Sequence, residues 1–289
     1  MTMFLPFVVS GLGIGAVYAL SGVGLVVLYR ATGVLNFAYG GVGALGAFCG
    51  WSILDAGYAA PLGWLTAIAV AAAASFAYGR LIAPRLAFRD PVVRAVGTLG
   101  FALILLGLVG WTWGEIPRRL SLPSDKIAFE IFGVRLNLTR LIALGLAVGL
   151  VAGINALLAR TRLGLQMRAL ADNRDLSGVL GIPVVSVEAA AWLIAGLSAG
   201  VSGLLLANLV RLQGLQLTFL VIPAIAAAIL GRLSSLWGTA IAGLGIGVLE
   251  ACLTGVDVIA PYRAATPFLV ALIAVALIGR TTFARLERR

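Results

Sequence analysis

The sequence predicts an all-α integral membrane protein, a polytopic bundle of about nine transmembrane segments with a range of eight to ten. Hydrophobic residues make up 61% of the 289 positions and charged residues only 11%, and the mean hydropathy is +1.08. Soluble domains carry about 25% charged residues, so this chain has too little polar surface to face water. Glycine fills 37 positions, which is typical of helices that pack closely in lipid.

Nine apolar segments approach the length of about 20 residues that a membrane crossing needs. They are 4–29, 31–53, 61–82, 95–114, 138–158, 187–210, 217–233, 238–259 and 267–278. The second segment is the least regular, because positions 36–41 are polar and glycine-rich. This run predicts a re-entrant or broken helix, which membranes tolerate only where protein or a cavity covers the freed backbone. We treat 1–289 as a single transmembrane domain.

The distribution of basic residues predicts the orientation. Nine crossings place the loops 80–94 and 159–183, Arg30, Arg232 and the tail 280–289 on one side, with 14 of the 21 Lys and Arg residues. By the positive-inside rule that side is cytoplasmic, so the N-terminus is outside and the C-terminus cytoplasmic. The hydrophilic connection 115–140 is then an external loop. The basic charge is explained by topology and lipid contact, and it does not indicate nucleic acid as a partner.

Small residues recur at helical spacing of four in three of the segments. The pairs are Gly11 with Gly15, Gly196 with Gly200, and Gly243 with Gly247. Because helices in lipid associate through close packing, these pairs predict three faces where backbones approach each other.

Several kinds of chemistry are absent from the sequence. There is no histidine and there are two distant cysteines, Cys49 and Cys252, so no catalytic residues and no metal ligands are predicted. The single lysine, Lys126, is not in a glycine-rich turn before a helix, so the chain lacks the P-loop that ATP hydrolysis would require. We expect a chain that is not an enzyme and binds no cofactor, so any pumping would draw its energy from a partner or an ion gradient.

Two carboxylates fall inside apolar segments, where an ionisable group is a functional candidate by default. Glu188 begins the sixth segment, and we interpret it mainly as an interfacial residue near Arg174. Glu250 lies deeper in the eighth segment. It either lines a pathway or forms a structural pair with a neighbour such as Arg263.

The loop 159–183 has the pattern of one or two short amphipathic helices. Apolar side chains recur every three or four residues. They are Leu163, Met167 and Leu170 and, further on, Leu176, Val179 and Leu180, while Arg168, Asp172 and Asp175 occupy another face. Such a segment either lies on lipid headgroups or docks onto a cytosolic partner, with its apolar face filling a groove and its charges fixing the register.

The same loop contains a more specific motif: a glycine, then Arg-Ala-x-Ala-x-Asn, then Gly-Ile. The residues are Gly164, Arg168, Ala169, Ala171, Asn173, Gly181 and Ile182. This motif resembles the coupling loop of LivH-type permeases of branched-chain amino acid ABC importers. Residues 24–40 resemble the first hairpin of that family, with Tyr39 as a departure, and 223–238 is a weaker third match.

The resemblance implies an inner-membrane permease that forms half of the translocation pathway of a bacterial importer. Its implied partners are a second homologous permease, two cytosolic ATPase subunits that hydrolyse ATP, a periplasmic amino-acid-binding protein and membrane lipid. Interrupted spans in opposite halves of a transporter often flank the pathway, so the candidate pathway residues are Asn36, Tyr39, Pro223 and Glu250. Within this class the cargo is a branched-chain amino acid, or alternatively urea or an amide. The rival class is an ion-coupled secondary transporter that uses Glu250.

Overall fold

The computed structural model describes residues 5–87, 89–131, 134–255 and 260–286. The helices are α1 (Leu5–Thr32), α2 (Tyr39–Asp55), α3 (Ala60–Ala77), α4 (Ala83–Leu86), α5 (Pro91–Trp113), α6 (Leu138–Arg160), α7 (Arg162–Asp172), α8 (Arg174–Val179), α9 (Val184–Leu209), α10 (Gly214–Thr218), α11 (Val221–Leu230), α12 (Leu236–Leu253) and α13 (Thr266–Leu286). A π-helical turn, Tyr78–Ile82, joins α3 to α4. The end of the predicted eighth segment, 256–259, and of the basic tail, 287–289, lie outside the described residues.

Each of the nine predicted segments coincides with helical structure, but the described residues support six full spans. Those six are α1, α3 with its continuation to Leu86, α5, α6, α9 and α12. The second segment contains the 17-residue α2, the seventh is divided into α10 and α11, and the described apolar part of α13 covers Thr266–Ala276. The protein is therefore a helical membrane protein, and the count of nine crossings exceeds what helix length supports.

Helix α1 forms the centre of the bundle. It packs against α12, α9, α11 and α6, and nearly all of its side chains from Ala16 to Leu28 are buried. Helix α2 packs against α3, α5, α9 and α10. Helices α3, α5 and α13 turn exposed apolar side chains outward, including Leu103, Ile104 and Leu272. A ring of exposed apolar side chains around a buried centre fits a bundle whose surroundings are lipid or another apolar protein.

The three glycine pairs lie at close helix contacts, as the sequence predicts. Gly11 and Gly15 of α1 face Gly243 and Gly247 of α12, and a Cβ added at any of the four would overlap backbone of the facing helix. The pair in α9 is used in the same way, because a Cβ at Gly200 would lie 2.7 Å from Ile68 Cα of α3. These residues let the central helices touch through their backbones.

The loop 115–140 contains a β-hairpin that the all-α prediction missed. Strand β1 (Ala128–Ile131) pairs antiparallel with β2 (Val134–Asn137), with Ala128 opposite Asn137 and Ile131 opposite Val134. Each strand has only four residues, too few for alternation of polar and apolar side chains to be a clear signal. The hairpin leads directly into α6.

Candidate functional site

The predicted coupling segment forms two short helices, as its periodicity indicates. Helix α7 begins at a capping threonine, because the Thr161 hydroxyl accepts a hydrogen bond from the Gly164 amide at 3.1 Å. Gly164 is required by space, since a Cβ at this position would overlap the backbone of Leu158 in α6. The chain therefore turns from α6 into α7 with almost no linker, and α7 is fixed closely to the end of a membrane helix.

Asn173 separates α7 from α8 and caps the second helix. Its side-chain Oδ1 accepts a hydrogen bond from the Leu176 amide at 2.9 Å, which satisfies one of the free amides at a helix start. Helix α8 ends in a Schellman motif, in which the Ile182 amide donates to the Ser177 carbonyl and the Gly181 amide to the Gly178 carbonyl. Gly181 has φ +82°, a conformation that favours glycine. Asn173, Gly181 and Ile182 thus set the geometry of the segment.

The apolar face of α7 packs inward, which corrects the expectation that it fills a groove on a partner. Met167 and Leu170 are buried, and α7 contacts α1, α6 and α9. The exposed apolar side chains belong mostly to α8 and its end. They are Leu165, Leu176, Val179 and Leu180, of which Val179 is 84% and Leu180 73% exposed. Arg168, Ala171, Asp172 and Asp175 are exposed around them, and Ala169 is half-buried. We call these exposed residues the coupling surface.

An ion pair fixes the coupling surface to the membrane bundle. Arg174 Nε donates to Glu188 Oε1 at 2.8 Å, and its Nη1 donates to the carbonyl of Ala87 at 3.3 Å. Glu188 is only 3% exposed. The predicted proximity of Glu188 to Arg174 is confirmed, and its position at the membrane interface stays a prediction. Arg174 joins the start of α8 to the first turns of α9 and to the residue that follows α4.

A second set of hydrogen bonds joins the start of α5 to the break between α1 and α2. Arg94 Nη2 donates to the Thr32 carbonyl at 2.5 Å. The Thr98 hydroxyl accepts from the Phe37 amide at 3.0 Å and lies 3.3 Å from the Leu35 carbonyl. Residues 33–38 are not helical, and α2 is continuous from Tyr39, so the chain is interrupted between α1 and α2 and not across 36–41 within a crossing. Side chains of α5 supply partners for backbone groups that the break leaves without helical ones.

The candidate pathway residues at the break are buried. Asn36 is 2% exposed, and its Oδ1 accepts a hydrogen bond from the Ala38 amide at 2.9 Å, just before α2 begins. Tyr39 is 1% exposed, and its hydroxyl lies 3.4 Å from Ser202 Oγ of α9. A Cβ at Gly40 would overlap the Thr218 carbonyl of α10. The two interrupted regions of the chain, 33–38 and 219–220, therefore meet through α2 and α10.

The other two candidates lie apart from this contact. Pro223 is buried in the first turn of α11, which packs on α1 and α13. Glu250 of α12 accepts a hydrogen bond from the Tyr18 hydroxyl of α1 at 2.9 Å. Its polar partner is thus Tyr18, and within the described residues no ion pair joins it to Arg263. The structure does not gather the four candidates into one cluster. Tyr18 was missed, since 232 positions of sequence separate it from Glu250.

The sequence resembles known transport proteins over most of its length. Residues 7–279 match the family described as the permease component of branched-chain amino acid transport systems. The LivH high-affinity branched-chain amino acid permease of Escherichia coli K12 is 28% identical over 264 residues, covering 86% of this chain and 85% of the relative. The BraD permease of Pseudomonas aeruginosa is 27% identical over 266 residues, with the same coverage.

A solved structure has a similar fold. PsaBC from Streptococcus pneumoniae in complex with Fab matches with a TM-score of 0.51 and 15% sequence identity, covering 93% of this chain and 90% of that one. At this identity the likeness concerns the fold alone.

Proposed function

Because the chain belongs to the family of permease components of branched-chain amino acid transport systems, we propose that it forms half of the translocation pathway of an ABC importer for leucine, isoleucine and valine. A second homologous permease supplies the other half. Two cytosolic ATPase subunits hydrolyse the ATP, and a periplasmic binding protein delivers the amino acid. The family match supports an importer permease, and it does not support the ion-coupled transporter that the carboxylate of Glu250 left open.

The observation that carries this proposal is the coupling surface itself. Four large apolar side chains and several charges stand exposed on a segment whose other face is packed into the bundle. Exposed apolar groups rimmed by charge are typical of a protein interface. The ion pair of Arg174 with Glu188 would pass a displacement of this surface directly to α9. ATP-driven movement of the bound subunits would reorient the bundle through that contact.

The proposal places the chain in a bacterial inner membrane, with the coupling surface on the cytoplasmic side. Helix α6 has 23 residues, about 35 Å in length at 1.5 Å per residue, and separates the hairpin from α7. The hairpin is then external. The excess of basic residues in 80–94 and 159–183 supports this orientation. With α2, α10–α11 and α13 counted as crossings, the total is nine, with the N-terminus outside and the C-terminus cytoplasmic.

Transport by the assembled complex tests the proposal. We expect proteoliposomes that contain the chain with its copurifying partners, ATP inside and binding protein outside, to accumulate labelled leucine. Isoleucine and valine should compete, because the relatives LivH and BraD are branched-chain amino acid permeases. Uptake of urea or acetamide, with no uptake of leucine, would show that the cargo is urea or an amide and not a branched-chain amino acid. Leucine uptake that needs a proton or sodium gradient and no ATP would contradict the importer and favour a secondary transporter.

A further inference from the structure

A polar cavity of about 440 Å³ lies at the end of the bundle opposite the coupling surface. Its walls come from three places in the sequence: the connection after α5, the start of α6 and the end of α9. The side chains that matter here are Arg119, Asp125, Arg140, Asn208 and Arg211. In the orientation proposed above, this cavity opens to the outside of the cell.

Two of the arginines are held next to each other by the backbone. Arg118 and Leu212 form an antiparallel bridge, with the Arg118 amide donating to the Leu212 carbonyl at 3.0 Å and the reverse bond at 2.9 Å. Arg119 follows Arg118 and Arg211 precedes Leu212, so both lie on the same side of this antiparallel bridge, and both line the cavity. Like charges on adjacent strands repel each other. A bound anion would relieve this repulsion.

The bridge is itself firmly anchored. Arg118 Nη2 donates to the Trp113 carbonyl at 2.7 Å, and its guanidinium lies 4.3 Å from the centre of the Trp51 ring. The Arg118 guanidinium is therefore held by Trp113 and Trp51, and Arg118 is not among the residues that line the cavity. Its neighbour Arg119 is exposed, as is Arg211.

Arg140 completes a group of three guanidiniums. It lies in the first turn of α6. Its side chain packs against Gly13 of α1, where an added Cβ would lie 3.2 Å from Arg140 Cγ. In the described part of the chain, none of Arg119, Arg140 and Arg211 forms an ion pair. Three unpaired guanidiniums around one cavity favour a carboxylate, for which arginine provides a forked donor.

The cavity is also lined by a carboxylate, that of Asp125, which can accept a further hydrogen bond. Asp125 accepts hydrogen bonds from the Leu122 amide at 2.7 Å, the Thr139 hydroxyl at 2.5 Å and the Asn208 side-chain amide at 2.7 Å. A carboxylate has about four lone-pair sites, so about one remains for another donor. The three bonds fix the position of Asp125 relative to α6 and α9.

We propose that this cavity binds a free α-amino acid before it enters the pathway, an inference that rests on the proposed function. The guanidiniums of Arg119, Arg140 and Arg211 take the carboxylate, and Asp125 takes the ammonium group. Leu209 and Val210 in the wall contact the apolar side chain. A site that has both charges next to apolar walls is complementary to a zwitterion with a branched side chain, whereas an acidic side chain of a docking protein would use the arginines alone.

Binding of labelled L-leucine to the assembled complex in nanodiscs, without binding protein, tests the inference. Hydrogen bonds between charged groups account for about a tenfold difference in affinity or more. We expect the double variant R140Q/R211Q to bind leucine at least about tenfold more weakly than the wild type. R140K/R211K, which retains both charges but not the forked donors, should lose less affinity for leucine. R80Q/R85Q removes two exposed positive charges at the opposite end and should bind leucine normally.

Competition identifies which groups are recognised. Unlabelled leucinamide, which lacks the carboxylate, and 4-methylpentanoate, which lacks the ammonium group, should each compete much less well than leucine. The inference is overturned if leucinamide competes as well as leucine, or if R140Q/R211Q binds leucine normally and only loses capture of the binding protein. Absence of leucine binding by a wild type that still imports leucine overturns this inference alone. Absence of leucine uptake by the wild type overturns the proposed function instead.

Discussion

Replacing Gly247 with alanine is expected to separate α12 from α1 and to leave little folded protein. A Cβ at Gly247 would overlap the backbone of Gly15, and the same contact includes Gly11 and Gly243. Backbone atoms cannot move aside as a flexible side chain does, so the two central helices must shift. Overpacking of a close contact costs about 1–3 kcal/mol, and α1 is the helix on which most of the bundle packs.

Gly245 provides the matched control on the same helix. A Cβ at Gly245 meets nothing within 4 Å, so alanine there adds only helix propensity, which favours it over glycine by up to about 1 kcal/mol. Thermal unfolding in detergent, followed by size-exclusion chromatography, compares the two variants. We expect G247A to lose most of its monodisperse peak and G245A to match or exceed the wild type. Equal stability of the two variants would show that α1 and α12 do not cross at these residues.

Replacing Glu188 with alanine is expected to uncouple ATP hydrolysis from transport. The change leaves Arg174 without the carboxylate that fixes α8 to α9. Breaking a buried ion pair costs about 3–5 kcal/mol. Because the Arg174 side chain is 26% exposed, water solvates the unpaired guanidinium in part. We therefore expect the free energy of unfolding to fall by about 2 kcal/mol. Leucine uptake per ATP hydrolysed should fall more than the ATPase rate.

Glu115 is the control for the loss of charge. It lies two residues after the end of α5 and is exposed, so E115A removes the same side chain and charge outside the coupling surface and without breaking a buried contact. The ratio of leucine transported to ATP hydrolysed, measured in proteoliposomes, should be near the wild-type value for E115A and much lower for E188A. If E188A retains the wild-type ratio and melting temperature, the ion pair does not connect the coupling surface to the bundle.

The sequence predicts the parts of the fold that depend on local patterns. Apolar runs locate the helices, the glycine pairs locate the close contacts of α1 with α12 and of α9 with α3, and the polar glycine-rich run 36–41 overlaps the non-helical connection 33–38. The pair α7 and α8 follows from the spacing of apolar residues. All of these signals lie within a few turns of one helix, where side-chain periodicity and backbone preference decide the structure.

Contacts between distant parts of the chain are not predictable in this way. Glu250 accepts a hydrogen bond from Tyr18 of another helix, and the bridge of Arg118 with Leu212 joins two positions that are far apart in the sequence. The direction in which α7 faces was also missed. An apolar helix face has the same spacing whether it packs on its own bundle or on a partner, and only the position of α1, α6 and α9 decides between them.

Copurification of the chain from its native membrane is the most direct test of the claim that the coupling surface binds an ATPase. The account predicts that a P-loop ATPase and a second permease are recovered with the wild type. The double charge reversal R168E/D172R, which alters two exposed residues, should lose the ATPase and retain the second permease. Recovery of the ATPase with the double variant at the wild-type level, or of the wild-type chain without any ATPase, would contradict the account.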